Sequence, residues 1–422
     1  MSDSANTVVV IGGGPAGIAA AACVAENGAS TVLIDDNPRL GGQIWRSGGK
    51  IPQAKEAGHW LNRFMRSGAK LQCGTRIVDR LGTKSLLAES DRGIQRVDYS
   101  QLILATGARE RLLPFPGWTI PNVVAAGGLQ ALVKGGAPIA GKRVAIAGSG
   151  PLLLAVATYL RLQGAVIVLI AEQAPWSRLV RFSAKLKSSP HKLWQAILMG
   201  VHLRGVRFKS SCWPIAARGE SVLEQVEFQS KQGRFSVACD YLACGFGLIP
   251  NLELPRLIGC EVHNGFVAVD EWQQTSIDDV YCAGEPTGIG GIDSALCAGQ
   301  IAGFATVGRK EKARGLFPAR TRGKKFEETL AFTFALRPEL RQLCQPETVV
   351  CRCEDVTYER LQPMTSWREA KLQTRCGMGA CQGRTCGAVA EFLWHWQLAS
   401  ARPPVFPARV ESLAGKTLTL EK

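Results

Sequence analysis

The stretch TVVVIGGGPAG, residues 7–17, decides the fold. Thr7–Ile11 is a run of β-branched residues that suits a strand buried on both faces of a parallel sheet. Gly12, Gly14 and Gly17 then follow at the spacing of G-x-G-x-x-G. The first glycine permits the tight turn, the second lets the backbone approach a pyrophosphate, and the third lets helix and strand pack closely. Pro15 and Ala16 open the helix, whose N-terminal amides and dipole favour phosphate. Ser30–Ile34 reads as a second strand, and Asp35 closes it where a carboxylate accepts hydrogen bonds from a ribose. Strand, turn, helix and acid agree on one βαβ dinucleotide-binding unit.

A second unit begins at Arg143–Ala147, turns at Gly148-Ser149-Gly150-Pro151, continues as a helix over Leu152–Gln163 and ends in the strand Val166–Ile170. Its third glycine position is Leu153, a side chain that would crowd the helix against the strand or block a cofactor. Glu172 stands where a ribose-binding acid would favour NAD over NADP. The expected fold class is therefore α/β, with two Rossmann-like nucleotide domains, the second (126–250) inserted between the two parts of the first (1–125 and 251–308). The return segment carries a strand around Val280–Ala283 and a helix over Ser294–Val307.

Residues 309–346 read as a basic linker followed by a helix over Phe326–Leu343. Arg309, Lys310, Lys312, Arg314, Arg320, Arg322, Lys324 and Lys325 crowd this segment, which suits a solvated linker, an acidic protein partner or an anionic membrane surface. A small cysteine-rich domain follows over 347–400, and 401–422, with Pro403, Pro404 and Pro407, reads as an extended tail packed on a neighbour.

Composition narrows the function. At 422 residues, with 46% hydrophobic residues and 46 glycines, the chain suits a globular nucleotide-binding protein and excludes disorder. The net charge of +15 is dispersed and no nucleic-acid-binding signature accompanies it. The apolar stretch Thr7–Val24 lacks a basic flank, and no uninterrupted run suits a membrane span. A cytoplasmic location is expected, with contact at the inner membrane admitted.

Fourteen cysteines in such a chain are thiols of a reducing compartment or metal ligands. Cys23, Cys239, Cys244, Cys260 and Cys282 lie in apolar surroundings and read as core packing. No C-x-x-C occurs in either nucleotide domain, and the histidines at 59, 191, 202, 263 and 395 form no evident base or metal pair. Near the C-terminus, however, Cys351-Arg352-Cys353 and Cys381-Gln382-Gly383-Arg384-Thr385-Cys386 form two close pairs. Two pairs of thiolates suit the irons of one 2Fe-2S cluster; structural zinc has similar spacing. Cys376 is a fifth candidate, either spare or an alternative ligand.

Three further segments complete a resemblance. Gly41-Gly42-Gln43 follows the acid, Ala105-Thr106-Gly107 ends a later strand, and Gly284-Glu285 follows Cys282-Ala283. Together with the first glycine motif they resemble the FAD-enclosing elements of the two-dinucleotide-domain, disulfide-reductase-like flavoproteins. That family usually has Asp where this chain has Glu285. The stretch from Val350 to Cys386 is similar to the bacterioferritin-associated-ferredoxin-like 2Fe-2S domain. The resemblance implies FAD held by Gly12, Gly14, Pro15, Ala16, Gly17, Asp35, Gly42, Gln43, Ala105, Thr106, Gly107, Gly284 and Glu285. It implies a 2Fe-2S cluster on Cys351, Cys353, Cys381 and Cys386.

A flavoprotein of this layout ending in such a module resembles the α subunits of bacterial heteromeric amino-acid dehydrogenases of the opine oxidase, hydrogen cyanide synthase and hydroxyproline or proline dehydrogenase type. The resemblance implies a glycine-oxidase-like β subunit, itself holding FAD, that oxidises an amino acid or secondary amine, while the α subunit relays electrons to an external acceptor. It admits a second flavin, FMN, at a subunit interface and a small third subunit. No residue of this chain reads as the amine-oxidising base. The rival readings are a self-contained NAD(P)H-dependent flavoprotein reductase and a non-catalytic assembly subunit.

Overall fold

The computed structural model describes residues 7–45, 54–187, 190–397 and 401–414. These fall into two compact units, one drawn from Met1–Arg109, Pro250–Glu327 and Ala399–Lys422, the other from Glu110–Ile249 and Glu328–Leu398.

The first unit is built on a five-stranded parallel sheet in the order Val280–Cys282, Gln101–Leu104, Thr7–Ile11, Ser30–Ile34, Lys70–Gln72. The strand expected at Thr7–Ile11 is central, which explains its unbroken run of apolar residues. Its register sets Ile11 beside Ile34 on one side and Leu104 on the other. The glycine turn, the end of the second strand and the Ala105–Gly107 segment therefore meet at one end of the sheet. The first helix, Pro15–Glu26, packs on the helix Ile292–Thr306 through small residues. At Gly299 a Cβ would overlap the Ala16 carbonyl oxygen, and at Gly303 it would stand 2.7 Å from that of Ala20. Only glycine allows backbones this close.

The basic segment is helical rather than a loose linker. Lys310–Arg314 and Phe317–Thr333 form two helices, because Ala313, Leu316 and Phe317 find an apolar seat against Cys297 and Ile301. Four of its cations are engaged within the unit: Lys310 and Arg314 lie over the Trp272 ring, Lys312 donates to Asn27 Oδ1, and Arg320 donates to the Asp270 carbonyl oxygen. The expected helix over Phe326–Leu343 is broken. The long helix stops at Thr333, and a short 3-10 helix, Pro338–Gln342, restarts after Arg337, because the Pro338 ring cannot continue an α-helix from the preceding turn.

The tail is not wholly extended. Val405 donates to the Val78 carbonyl oxygen in the antiparallel sheet of the same unit, and Val410–Ala414 forms a short helix. Glu89 explains the helix: it accepts from the Arg409 amide and the Ser412 hydroxyl, holding its first turn. Residues 415–422 lie outside the described residues.

The second unit repeats the architecture with a parallel sheet in the order Phe208–Ser210, Val166–Glu172, Arg143–Ser149, Tyr241–Phe246, Val123–Ala125. The same unit holds the cysteine-rich segment, where the helices Trp367–Thr374 and Cys386–Trp394 pack with the hairpin of Val349–Cys351 and Val356–Thr357 around Val350, Leu361, Ala370 and Val389. Among the described residues no helix is long and apolar enough to cross a membrane.

Candidate functional site

The first glycine turn is shaped by close approach. Gly12 has φ +110, and a Cβ on it or on Gly17 would overlap the carbonyl oxygen of Ala105 or Gly12 respectively. Gly14 by contrast has only Gly42 Cα, at 4.0 Å, within reach of an added Cβ. The turn is sealed beneath by its own backbone and open at Gly14, as a pyrophosphate cradle requires. Asp35 is buried and accepts from the Gly13 amide, from the Asn37 amide at 2.7 Å and from Asn37 Nδ2 at 2.8 Å. The carboxylate is thereby aimed at the mouth of the turn. Gly41 donates to the Gly13 carbonyl oxygen at 2.8 Å, which draws Gly42 and Gln43 alongside.

Ala105-Thr106-Gly107 is fixed by a residue that the glycine pattern did not single out. Asn251 Nδ2 donates to the Thr106 carbonyl oxygen at 2.8 Å, Thr106 Oγ1 donates to that of Asn251 at 2.8 Å, and the Asn251 amide donates to that of Gly107 at 3.0 Å. Arg109 holds the Asn251 side-chain oxygen at 2.8 Å and pairs with Glu253 at 2.9 Å. The available signal was Asn251 itself, an amide directly after Pro250 at the chain's return to this unit.

Glu285 follows Gly284, whose φ is +83. Its Oε1 accepts from the Gly291 amide at 3.2 Å, while its Oε2 is buried and has no hydrogen-bond partner among the described residues. Burial pushes this carboxyl up to about 7, partly offset by the Gly291 amide and reinforced by nearby Glu327. A buried acceptor without a donor is costly. A hydroxyl-bearing ligand such as the ribityl chain of FAD would satisfy it, and the extra methylene of Glu over Asp does not withdraw the group from the site. The residues present fit FAD.

The second glycine turn is different. Gly148 has φ +142 and Gly150 +108, so the turn itself forms. Leu153 does not crowd the sheet as its bulk implies: it is buried among Ile146, Val156 and Ala243, and the neighbouring strand offers Gly245 opposite it. Glu172 accepts from the Gly150 amide at 2.8 Å through Oε2 and from the Ala174 amide at 2.8 Å through Oε1, as Asp35 accepts from the Gly13 and Asn37 amides in the first turn. Burial pushes its carboxyl up to about 7 against those amides. The chain's own segment from Phe334 to Arg337 is latched beside the turn, while Gly150, its second glycine, has no atom within 4 Å of an added Cβ. Ser149 Oγ donates to the Phe334 carbonyl oxygen at 3.0 Å, Gln173 Nε2 donates to that of Ala335 at 3.3 Å, and Gln173 Oε1 accepts from the Arg337 amide at 3.2 Å.

In the cysteine-rich segment the Sγ atoms of Cys351, Cys376 and Cys386, all buried, lie within 4.8 Å of one another. Cys381 hydrogen-bonds to Cys386 and to Cys353, which is exposed, so all five thiols share one network. Hydrogen bonds from Cys376 and then Cys386 hold the Cys351 thiol well below its ordinary range. Glycines make this crowding possible: a Cβ on Gly379 would overlap Cys353 Cβ, and one on Gly377 would meet the Trp367 ring at 2.5 Å. Trp367 sits at the start of a helix capped by Ser366 Oγ, which accepts from the Glu369 amide at 3.2 Å. Soft thiolates at this density suit iron–sulfur or zinc ligation. The geometry joins Cys351 and Cys386 of the expected set, and brings Cys376 to them. The cysteines read as core packing, Cys23, Cys239, Cys244, Cys260 and Cys282, are all buried and free.

Residues 6–302 match the pyridine nucleotide-disulphide oxidoreductase family. The chain belongs to that family. As a member it is an α/β flavoprotein oxidoreductase, and the family implies FAD. The hydrogen cyanide synthase subunit HcnB of Pseudomonas protegens is 32% identical, over 90% of this chain and 89% of its own. An opine oxidase subunit of Rhizobium meliloti is 32% identical, over 90% of each chain. Among solved structures, L-proline dehydrogenase from P. horikoshii superposes with a TM-score of 0.71 at 19% identity, over 97% of this chain and 79% of that one, and shares its fold. Family membership makes the chain a relative of the HcnB and opine oxidase subunits, both of which are named as parts of larger enzymes.

Proposed function

We propose that this chain is the electron-transfer α subunit of a heteromeric amino-acid dehydrogenase acting on a CH–NH donor such as hydroxyproline, proline or an opine. The observation that carries the reading is the buried thiol cluster of Cys351, Cys376 and Cys386, with Cys353 and Cys381 at its edge, in a chain that also holds a flavin cradle. When bound, FAD would supply two-electron acceptance and a 2Fe-2S cluster single-electron transfer. Gly12, Gly14 and Gly17 would admit the pyrophosphate, Asp35 the ribose and Glu285 a ribityl hydroxyl. Ala105, Thr106 and Gly107, held by Asn251, would wall the site. Cys351, Cys353, Cys381 and Cys386 would ligate the cluster.

Oxidation of a secondary amine to an imine releases two electrons and two protons, and some base must manage the proton transfer. The similarity to chains named as subunits of hydrogen cyanide synthase and opine oxidase supports a separate, glycine-oxidase-like protein chain as the site of that step. One observation weighs against the NAD(P)H-reductase reading, the latching of residues 334–337 to Ser149 and Gln173 beside the second turn.

The test is anaerobic purification of the chain with its natural partners, followed by flavin, iron and acid-labile sulfide analysis and spectra under each donor. One FAD and one 2Fe-2S cluster per chain, reduced by an amino acid only when the β subunit is present, is the expected result. Zinc in place of iron, or reduction by NADH alone, would overturn it.

A further inference from the structure

The helix Pro190–His202 turns an apolar stripe outward. Trp194, Ile197, Leu198 and Val201 follow the i, i+3, i+4, i+7 spacing of one helical face, and they are 60%, 48%, 42% and 65% exposed. The preceding helix, Trp176–Leu186, adds Trp176 and Val180, 60% and 51% exposed. That helix is seated on its own unit by Leu186, which is buried, by Phe182, which meets the Phe334 ring edge-on at 5.3 Å, and by Arg178 over the Phe332 ring. Its exposed tryptophan is therefore not a failure of packing. An apolar patch of this composition on an otherwise polar surface marks an interaction site.

Charge identifies the occupant. The stretch from Trp176 to His202 carries Arg178, Arg181, Lys185, Lys187 and Lys192, and no Asp or Glu occurs anywhere between Glu172 and Glu220. A protein partner is ordinarily met by a surface of mixed sign, with charges paired at its rim. Tryptophans and aliphatic side chains on helices bearing only positive charge match the boundary of an anionic bilayer, where indole rings settle at headgroup level and cations meet lipid phosphate. In the basic run at 309–325, by contrast, Lys310, Lys312, Arg314 and Arg320 are engaged within their own unit.

We infer that the helical pair Trp176–Leu186 and Pro190–His202 is a peripheral docking surface for anionic lipid. The attachment is reversible and in the plane of the interface, because the helices are short and only one face is apolar. The surface shares no residue with either candidate cofactor site, so the inference stands whichever substrate the enzyme oxidises.

The experiment uses the full chain, co-purified with its partners, and sedimentation with vesicles of equal parts phosphatidylglycerol and phosphatidylcholine or of phosphatidylcholine alone. Binding to the anionic vesicles should be at least roughly tenfold tighter, and should weaken with salt. The double variant Trp194→Ser, Ile197→Ser should lose binding while keeping the parent melting temperature and flavin and iron content. Lys185→Glu with Lys187→Glu should abolish the preference for anionic lipid. Absence of vesicle binding, equal binding to both compositions, or unchanged binding by both variants would overturn the inference. So would hydrogen-exchange protection of residues 191–202 by a bound protein in the lipid-free complex, which would make the face a protein interface.

Discussion

Ser149, the central residue of the second glycine turn, donates a 3.0 Å hydrogen bond to the carbonyl oxygen of Phe334, far along the chain. Gln173 binds the next stretch of the same segment. Backbone of the segment 334–337 is thus latched beside the second glycine turn, and Glu172 accepts from the Gly150 amide. NADH and NADPH are expected neither to reduce the flavin nor to bind measurably at millimolar concentration, as stopped-flow absorbance and calorimetry would report. Ser149→Ala should cost about 1 kcal/mol of stability, the ordinary net worth of one hydrogen bond, without opening a nucleotide site.

Glu285 makes stability depend on pH in the absence of flavin. Its folded pKa is raised from 4.5 to about 7 by burial. Between those values the unfolded chain has lost a proton that the folded chain keeps, so stability is greatest at the acid end of the window and falls as pH rises towards 7. The full effect is on the order of 3 kcal/mol. Chemical denaturation of flavin-free protein at pH 5 and pH 7 should show this slope, and Glu285→Gln should flatten it. The same variant should bind FAD more weakly by roughly tenfold, since a charged acceptor is replaced by a neutral one.

Much of the first unit was legible because its signals are local. A strand of β-branched residues, glycines at fixed offsets and a closing acid all lie within residues 7–35, and each specifies backbone conformation directly. Cys351 and Cys386 were marked by the same kind of local spacing, whereas Cys376 joins them only through the fold. What could not be read depends on contacts distant in sequence. The polar latch of Asn251 on Thr106, the packing of Trp367 over Gly377 and the latching of Phe334 beside the second turn need the fold to bring them together. Leu153 gave a false warning because its room is made by Gly245, on another strand. The helix expected over Phe326–Leu343 ignored Pro338, and the basic run looked solvated because its partners, Trp272 and Asp270, lie well upstream of it in the chain.

Gly299 tests the close packing that carries the first unit. A side chain there would overlap the Ala16 carbonyl oxygen on the first helix, just behind the flavin cradle. Gly299→Val should force the two helices apart and cost about 3 kcal/mol or more, at the upper end of overpacking effects. The thermal midpoint should fall and flavin should be lost on gel filtration. Gly28→Ala, at a turn where no atom lies within 4 Å of an added Cβ, meets only the penalty of its positive φ and should retain flavin.

Cys376 separates direct ligation from an indirect influence on the thiol cluster. Cys351 and Cys386 each lie within 4.8 Å of it, but the sequence pairs that suit two irons are Cys351 with Cys353 and Cys381 with Cys386. If those four bind the metal, Cys351→Ala or Cys386→Ala should eliminate iron and acid-labile sulfide. Cys376→Ala should keep both, because its thiol then serves only as a hydrogen-bond donor to a ligand sulfur. Removing such a donor leaves more negative charge on the cluster and should make its reduction potential more negative. Electron paramagnetic resonance of the dithionite-reduced protein during a potential titration gives both answers. Loss of iron in Cys376→Ala, with retention in Cys353→Ala, would reassign the fourth ligand from the exposed thiol to the buried one.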